Sequence, residues 1–273
     1  MRERVRAAQT LQPNDSKQPL QSKTVSFSLA GRPMAQDADF SQDRLKLLFI
    51  RHAESVGNVE RRMQGHADYE LTARGRQQAR QLAERLWARG QPPSKVYSSP
   101  LKRAAQTAEI LLAQRTSEPV PHPISIPTIE PTIEYAEELL EFQNGIFKGL
   151  TWDEARERYP ELCADLEASP DWIPAPGAET LQDGRDRAER FIQRVLAMHC
   201  NGETLWIVTH GWILQHLIAA MLGSDRTWHC SPKNTAVFEF WLERSRWTLP
   251  SNNPNRWNSD LWHIRRFNDT SHL

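Results

Sequence analysis

The sequence predicts an α/β fold: a three-layer α/β/α sandwich with a mostly parallel central sheet, helices on both faces and a cap insertion. Three observations predict it. Short β-rich apolar runs alternate with helical runs from Lys46 onward. Strands that alternate with helices build a parallel sheet, because each crossover returns along one sheet face. One run, "TLWIVT" (204–209), is apolar at successive positions, as a strand covered on both faces must be.

The elements follow in order. "KLLFI" (46–50) is the first strand. "GRQQARQLAERLWARG" (75–90) is a helix with Ala79, Leu82, Ala83 and Leu86 on one face and Gly90 as its stop. "KVYSS" (95–99) is a second strand, and "PLKRAAQTAEILLA" (100–113) a helix with proline in its first turn. The proline-rich stretch 117–133 is expected to be a loop or an extended edge. Residues 134–180 are expected to form a cap insertion over one sheet edge, poor in helix toward its end.

"RDRAERFIQRVLAMH" (185–199) places Ala188, Phe191, Ile192, Val195 and Leu196 on a single helical stripe. After the 204–209 strand, "GWILQHLIAAML" (211–222) is apolar nearly all round and reads as a buried helix. "TAVFEFWL" (235–242) and "LWHIRRF" (261–267) close the chain as alternating strands, an antiparallel or edge pair. Residues 45–273 are thus one domain. Residues 1–44 are polar and lack sustained periodicity, so they are expected to be a flexible N-terminal extension. Their early arginines invite a transit-peptide reading, and Met34 offers a second start.

Composition excludes several function classes. The chain has 273 residues, 39% hydrophobic and 25% charged, with a formal net charge of zero. A neutral balance argues against a nucleic-acid partner or a polybasic membrane surface. No apolar run reaches the ~20 residues that a membrane-spanning helix needs. Cys163, Cys200 and Cys230 fit no metal-binding spacing and no disulfide framework. Free thiols point to a reducing, cytoplasmic location. A homo-oligomer is compatible with all of this.

The chemistry converges at strand ends. The first strand ends at Arg51-His52, the second at Ser98-Ser99 with Arg103 one turn into the next helix, and the third at Thr209-His210-Gly211. Ligands of open α/β sheets bind outside the carboxyl ends of the strands. Parallel neighbours would therefore bring two arginines and two histidines into one small space. Guanidinium forks match phosphate oxygens, and the starts of the helices after Ser99 and His210 would add backbone N–H donors. Surrounding positive charge keeps an imidazole neutral, which makes it a competent nucleophile. A metal site built from His52, His66 and His210 is a weaker reading, since no HxH or HExxH pair exists.

The motifs then resemble one family in order. "LFIRHAESVGN", "QGHADYELTARGRQQA", "VYSSPLKRAAQTAEIL", "LLEFQNGIFKGLTWDE", "PGAETLQDGRDRAERF" and "IVTHGWILQHLI" resemble the successive blocks of the histidine phosphatase superfamily, the phosphoglycerate mutase-like family, across roughly residues 46–222. The resemblance implies that His52 becomes a phosphohistidine. It implies that Arg51, Arg103 and His210 bind phosphoryl oxygens, with His210 as imidazolium, and that Glu141 is the proton donor. Asn58, Gln64, Gly65 and Gly211 would line the phosphate pocket. It implies no metal and no cofactor. Ala53 stands where glycine is commoner, and Lys148 where many members have glutamate.

Within the family, the residues favour a phosphatase over a cofactor-dependent mutase. Glu141 is followed by Phe142-Gln143-Asn144, not the mutases' Arg-His-Tyr. Residues 160–180 contain no Lys or Arg, while Glu161, Asp165, Glu167, Asp171 and Glu179 are acidic. Such a cap would repel a second phosphate. The expectation is a phosphomonoester hydrolase acting on a small phosphorylated metabolite. The alternatives are a phosphoglycerate mutase and, from another class, a non-catalytic phosphate-binding or scaffold protein.

Overall fold

The structure is a computed structural model that describes residues 44–90, 92–114, 131–227, 230–244, 247 and 262–273. The expected N-terminal extension lies outside these residues except for Arg44. So does most of the proline-rich stretch.

Among the described residues, six strands form one mixed sheet: β1 (Leu45–Arg51), β2 (Lys95–Ser98), β3 (Ile133–Tyr135), β4 (Thr204–Thr209), β5 (Val237–Leu242) and β6 (Trp262–Asp269). Their order is β3-β2-β4-β1-β5-β6. The β3-β2, β2-β4 and β4-β1 pairs are parallel; β1-β5 and β5-β6 are antiparallel. The last two strands do make an antiparallel pair with β6 at the edge, and β3 is the opposite edge.

Strand alternation sorts the core into two layers. Leu45, Leu47 and Phe49 face one side with Leu205, Ile207, Phe238 and Phe240. There they meet α6 (Leu181–Met198), through Ala188, Phe191, Ile192, Val195 and Leu196, and α7 (Gly211–Met221). Leu48 and Ile50 face the other side with Val96, Trp206 and Val208, against α2 (Ala73–Trp87) and α3 (Lys102–Ala113). Each fully buried Leu, Ile or Phe contributes about 1.5–3 kcal/mol of transfer free energy. The central β1 and β4 therefore anchor both layers.

Three helix starts depart from expectation, each for a local reason. Helix α2 starts earlier, because Thr72 accepts from the Gly75 N–H as its N-cap. Pro100 lies just outside α3, whose N-cap is Leu101, so it is not in the first turn. Helix α6 begins at Leu181, where Thr180 and Asp183 form a capping box.

Between β3 and α6 the chain makes two 3₁₀ turns, α4 (Trp152–Arg158) and α5 (Pro160–Ala168), then runs irregularly to Thr180. Helix α1 (Val56–Val59) is a single turn after β1. Phe147, Leu150, Ala155 and Cys163 form a small separate core with Trp152 and Tyr159 packed against it. Two glycines allow close backbone approaches, one in this segment and one in α2. Gly145 has φ +55°, and a Cβ there would stand 2.2 Å from Pro176 O. At Gly75 a Cβ would stand 2.0 Å from Glu54 O.

Candidate active site

The site sits at the carboxyl edge of the three central parallel strands. Register puts it there: Arg51 of β1 pairs with Thr209 of β4, and Ser98 of β2 pairs with Val208. His52 and His210, which follow β1 and β4, are thereby level, and Ser99, which follows β2, is level with Thr209 one residue earlier. His52 is 2% exposed; Arg103 and His210 are fully buried. The His52 and His210 ring centroids are 5.1 Å apart. Four side chains separated by up to about 160 positions do meet.

Hydrogen bonds settle both imidazole tautomers. His52 Nδ1 lies 2.7 Å from the Ala53 carbonyl, which can only accept. Nδ1 therefore carries the hydrogen, and Nε2 keeps its lone pair. Arg103 Nε donates to His210 Nδ1 at 3.1 Å, so His210 holds its hydrogen on Nε2 and donates it to Ser99 Oγ at 2.7 Å. Burial lowers both histidines well below the ordinary value, and the Arg103 and Arg51 charges lower them further. His210 is thus neutral. The imidazolium expected from the sequence is corrected here: a second cation beside Arg103 would be repelled and desolvated.

Arg103 spends three of its five donors on the protein. Besides His210, it donates to Ala67 O and Gly65 O, each at 2.8 Å. Burial lowers its pKa to about 10, so it stays charged. Arg51 donates to the Pro232 carbonyl, while its buried Nε has no hydrogen-bond partner. A Cβ at Gly211 would stand 3.6 Å from that Nε, an ordinary van der Waals contact. Burial lowers the Arg51 pKa, and the nearby Glu141 opposes this.

Glu141 stands where an anion was expected. Its Oε1 accepts from Ile213 N (3.1 Å) and its own neighbour Phe142 N (3.0 Å), and Oε2 accepts from Trp212 N (3.2 Å). The carboxylate caps the start of α7. The sequence reading offered those N–H groups to phosphate; a protein carboxylate takes them instead, favoured by the same helix-end charge. At α3 the Lys102 N–H is likewise taken, by Asp68 at 3.0 Å.

The remaining expected residues form a shell. Gln64 Oε1 accepts from Ser55 Oγ at 2.9 Å, and Asn58 Oδ1 accepts from Ser55 N at 3.1 Å. Gly65 turns at φ +46° and offers its carbonyl to Arg103. Thr209 Oγ1 donates to Leu139 O at 2.9 Å, tying β4 to the turn before Glu141.

Sequence reading missed three participants. Asn234 Nδ2 donates to His52 O (3.0 Å) and Asn58 Oδ1 (3.2 Å). Thr235, at φ +59°, donates its N–H to the Arg51 and His52 carbonyls at 3.1 and 3.4 Å. A β-branched residue in that region is strained, and such strain persists only where surroundings enforce it. The usable signal was the antiparallel β5, whose amino end must lie level with the carboxyl end of β1. Arg187 is the third. It pairs with Glu179 at 2.8 Å, both side chains nearly buried, and donates to the carbonyls of Glu138 (2.9 Å) and Leu140 (2.5 Å). It fixes the turn that presents Glu141. Among the described residues, no three His, Cys, Asp or Glu side chains cluster as metal ligands.

A mostly parallel α/β sheet thus carries two arginines around a neutral histidine pair at its strand ends. The chain belongs to the histidine phosphatase superfamily, branch 1, whose family model matches residues 47–255. It is 32% identical over 240 residues to phosphoglycerate mutase-like protein 4 of Arabidopsis thaliana, covering 88% of this chain and 90% of that one. It is 28% identical over 204 residues to phosphoserine phosphatase 1 of Hydrogenobacter thermophilus, covering 74% and 89%. The solved structure of YhfR from Bacillus stearothermophilus aligns with a TM-score of 0.62 at 31% identity, over 84% of this chain and 98% of that one. No helix among the described residues is long and apolar enough to cross a membrane.

Proposed function

We propose that the protein is a phosphomonoester hydrolase that works through a phosphohistidine on His52. One observation carries the reading: Nδ1 of His52 is held by Ala53 O, which leaves the Nε2 lone pair beside two guanidiniums. Nε2 attacks phosphorus as the ester P–O bond breaks. Arg51 through Nε, and Arg103 through its two uncommitted N–H groups, neutralise the equatorial oxygens. His210 holds Arg103 in place, and its Nε2–H can pass from Ser99 to a phosphoryl oxygen. Glu141 serves as the general acid to the departing alkoxide. Water then attacks the phosphohistidine, with the Glu141 carboxylate taking its proton. Phosphate leaves and His52 is neutral again.

Hydrolysis is favoured over mutase chemistry by the charges opposite the site. Residues 160–180 hold no cation. Arg156 is paired with Glu167 at 2.6 Å, and Arg62 with Glu154 at 2.9 Å. A second phosphate would find little there to hold it. The test is phosphate release from a panel of small phosphomonoesters, beside phosphoglycerate interconversion with and without 2,3-bisphosphoglycerate. Phosphate release with no bisphosphoglycerate stimulation is expected. Strong stimulation, with little net hydrolysis, would overturn the reading in favour of the mutase.

A further inference from the structure

An apolar cavity of about 300 Å³ opens beside Glu141, between the 142–178 segment and the start of α7. Ligand pockets begin at about this size. Its walls include Met63, Phe142, Trp152, Trp172 and Trp212, and Asn144 is the one polar side chain among them. A larger cavity of about 460 Å³, near Arg89 and Arg266, is a separate feature in which both arginines face Glu239.

Position gives the apolar cavity its meaning. Phe142 follows Glu141, the proton donor of the reading above. Trp212 donates its backbone N–H to that same carboxylate at 3.2 Å. With Glu141 as the acid, the group on the leaving oxygen lies close to these two residues. Phe142, Trp172 and Trp212 form a three-ring cluster, with centroid separations of 4.3, 5.2 and 6.5 Å. Trp172 is 44% exposed and stands at the mouth.

The inner wall is packed from behind. Trp212 packs on His216 with centroids 4.1 Å apart. Its outer ring edge rests on Gly184 of α6, where a Cβ would come within 2.5 Å. Preorganised walls lose little entropy on binding. The lining has no Lys, Arg, Asp or Glu, so a charged ligand group would be desolvated there without a partner.

We propose that this cavity binds the alcohol half of the substrate, and that this half is uncharged and aromatic; the proposal rests on the phosphomonoesterase reading above. Flat rings fit because aromatic faces and edges at 4–7 Å attract beyond their area burial. Asn144 gives such a ring one hydrogen-bonding neighbour. A phosphorylated amino acid or glycerate would meet no countercharge in the cavity.

The test uses the full chain and two non-hydrolysable probes of equal charge, 3-phenylpropylphosphonate and propylphosphonate, with affinities measured by calorimetry. The phenyl probe is expected to bind at least tenfold tighter. Trp172→Ala, which opens the mouth, and Ala175→Phe, which fills the cavity, should each bring the ratio below threefold. Equal affinities in the unmodified protein, or a ratio unchanged in both variants, would overturn the proposal. Hydrolysis of 3-phenylpropyl and propyl phosphate is measured separately. Because the phosphonates report binding without turnover, a failure of both phosphates to react strikes the hydrolase reading and is distinct from a failure of the cavity.

Discussion

The rings of His52 and His210 stand 5.1 Å apart at 57°, and both are neutral because each is buried beside Arg103 and Arg51. The two therefore divide the work. His52 keeps an unshared electron pair toward the basic pocket, while His210 accepts from Arg103 at Nδ1 and donates to Ser99 from Nε2.

If His52 is the nucleophile, His52→Ala should remove aryl phosphate hydrolysis by about four orders of magnitude or more. The thermal midpoint should change little, since the ring makes one local hydrogen bond. Rapid acid-free quenching of the unmodified protein with labelled substrate should trap label on protein, and the variant should trap none. Turnover persisting in the variant would refute the role.

Replacing Glu141 separates acid catalysis from binding. Glu141→Gln should lower kcat by about 10²–10⁴ for alkyl phosphates, whose leaving oxygens need a proton. Loss should be much smaller for p-nitrophenyl phosphate, whose oxygen leaves as an anion. Equal losses across leaving groups would instead mark Glu141 as the cap of α7 only.

Arg187 tests whether the turn before Glu141 must be held. Arg187→Met leaves Glu179 nearly buried and unpaired, and frees the carbonyls at 138 and 140. Breaking such a pair costs about 3–5 kcal/mol, read by denaturant unfolding. Under conditions where the variant remains folded, kcat should fall more for alkyl than for p-nitrophenyl phosphate. A loss of stability with an unchanged leaving-group profile would make Arg187 structural alone.

Acid should destabilise the fold through its buried histidines. Burial lowers His216 to about 4; Glu179 opposes that, while Arg187 and Arg185 reinforce it. The unfolded chain takes up this proton near pH 6.5 and the folded chain only near pH 4. Stability is therefore complete above about pH 6.5 and declines as pH falls through that window. His216→Asn should flatten the decline by up to about 3 kcal/mol between pH 7 and pH 4. An identical pH profile in the variant would show that His216 is not the group responsible. For the same reason, the acid limb of kcat/KM should lie below the usual histidine range, because His52 resists protonation.

The sequence by itself determined the alternation of strands and helices, the apolar stripe of α6, the antiparallel ending and the strand-end residues that meet. Those follow from periodicity and chain direction, which are local properties. Only the tertiary structure decided the state of the site. Whether His210 is charged depends on Arg103 donating to it from 107 positions away and on the burial of both side chains. That Glu141 occupies the start of α7, that Asn234 grips the His52 carbonyl, and that Phe142, Trp172 and Trp212 enclose one cavity depend on the same kind of long-range packing. Hydrogen bonding and desolvation act between neighbours in space, and the order of residues along a chain does not specify those neighbours until the sheet has set its register.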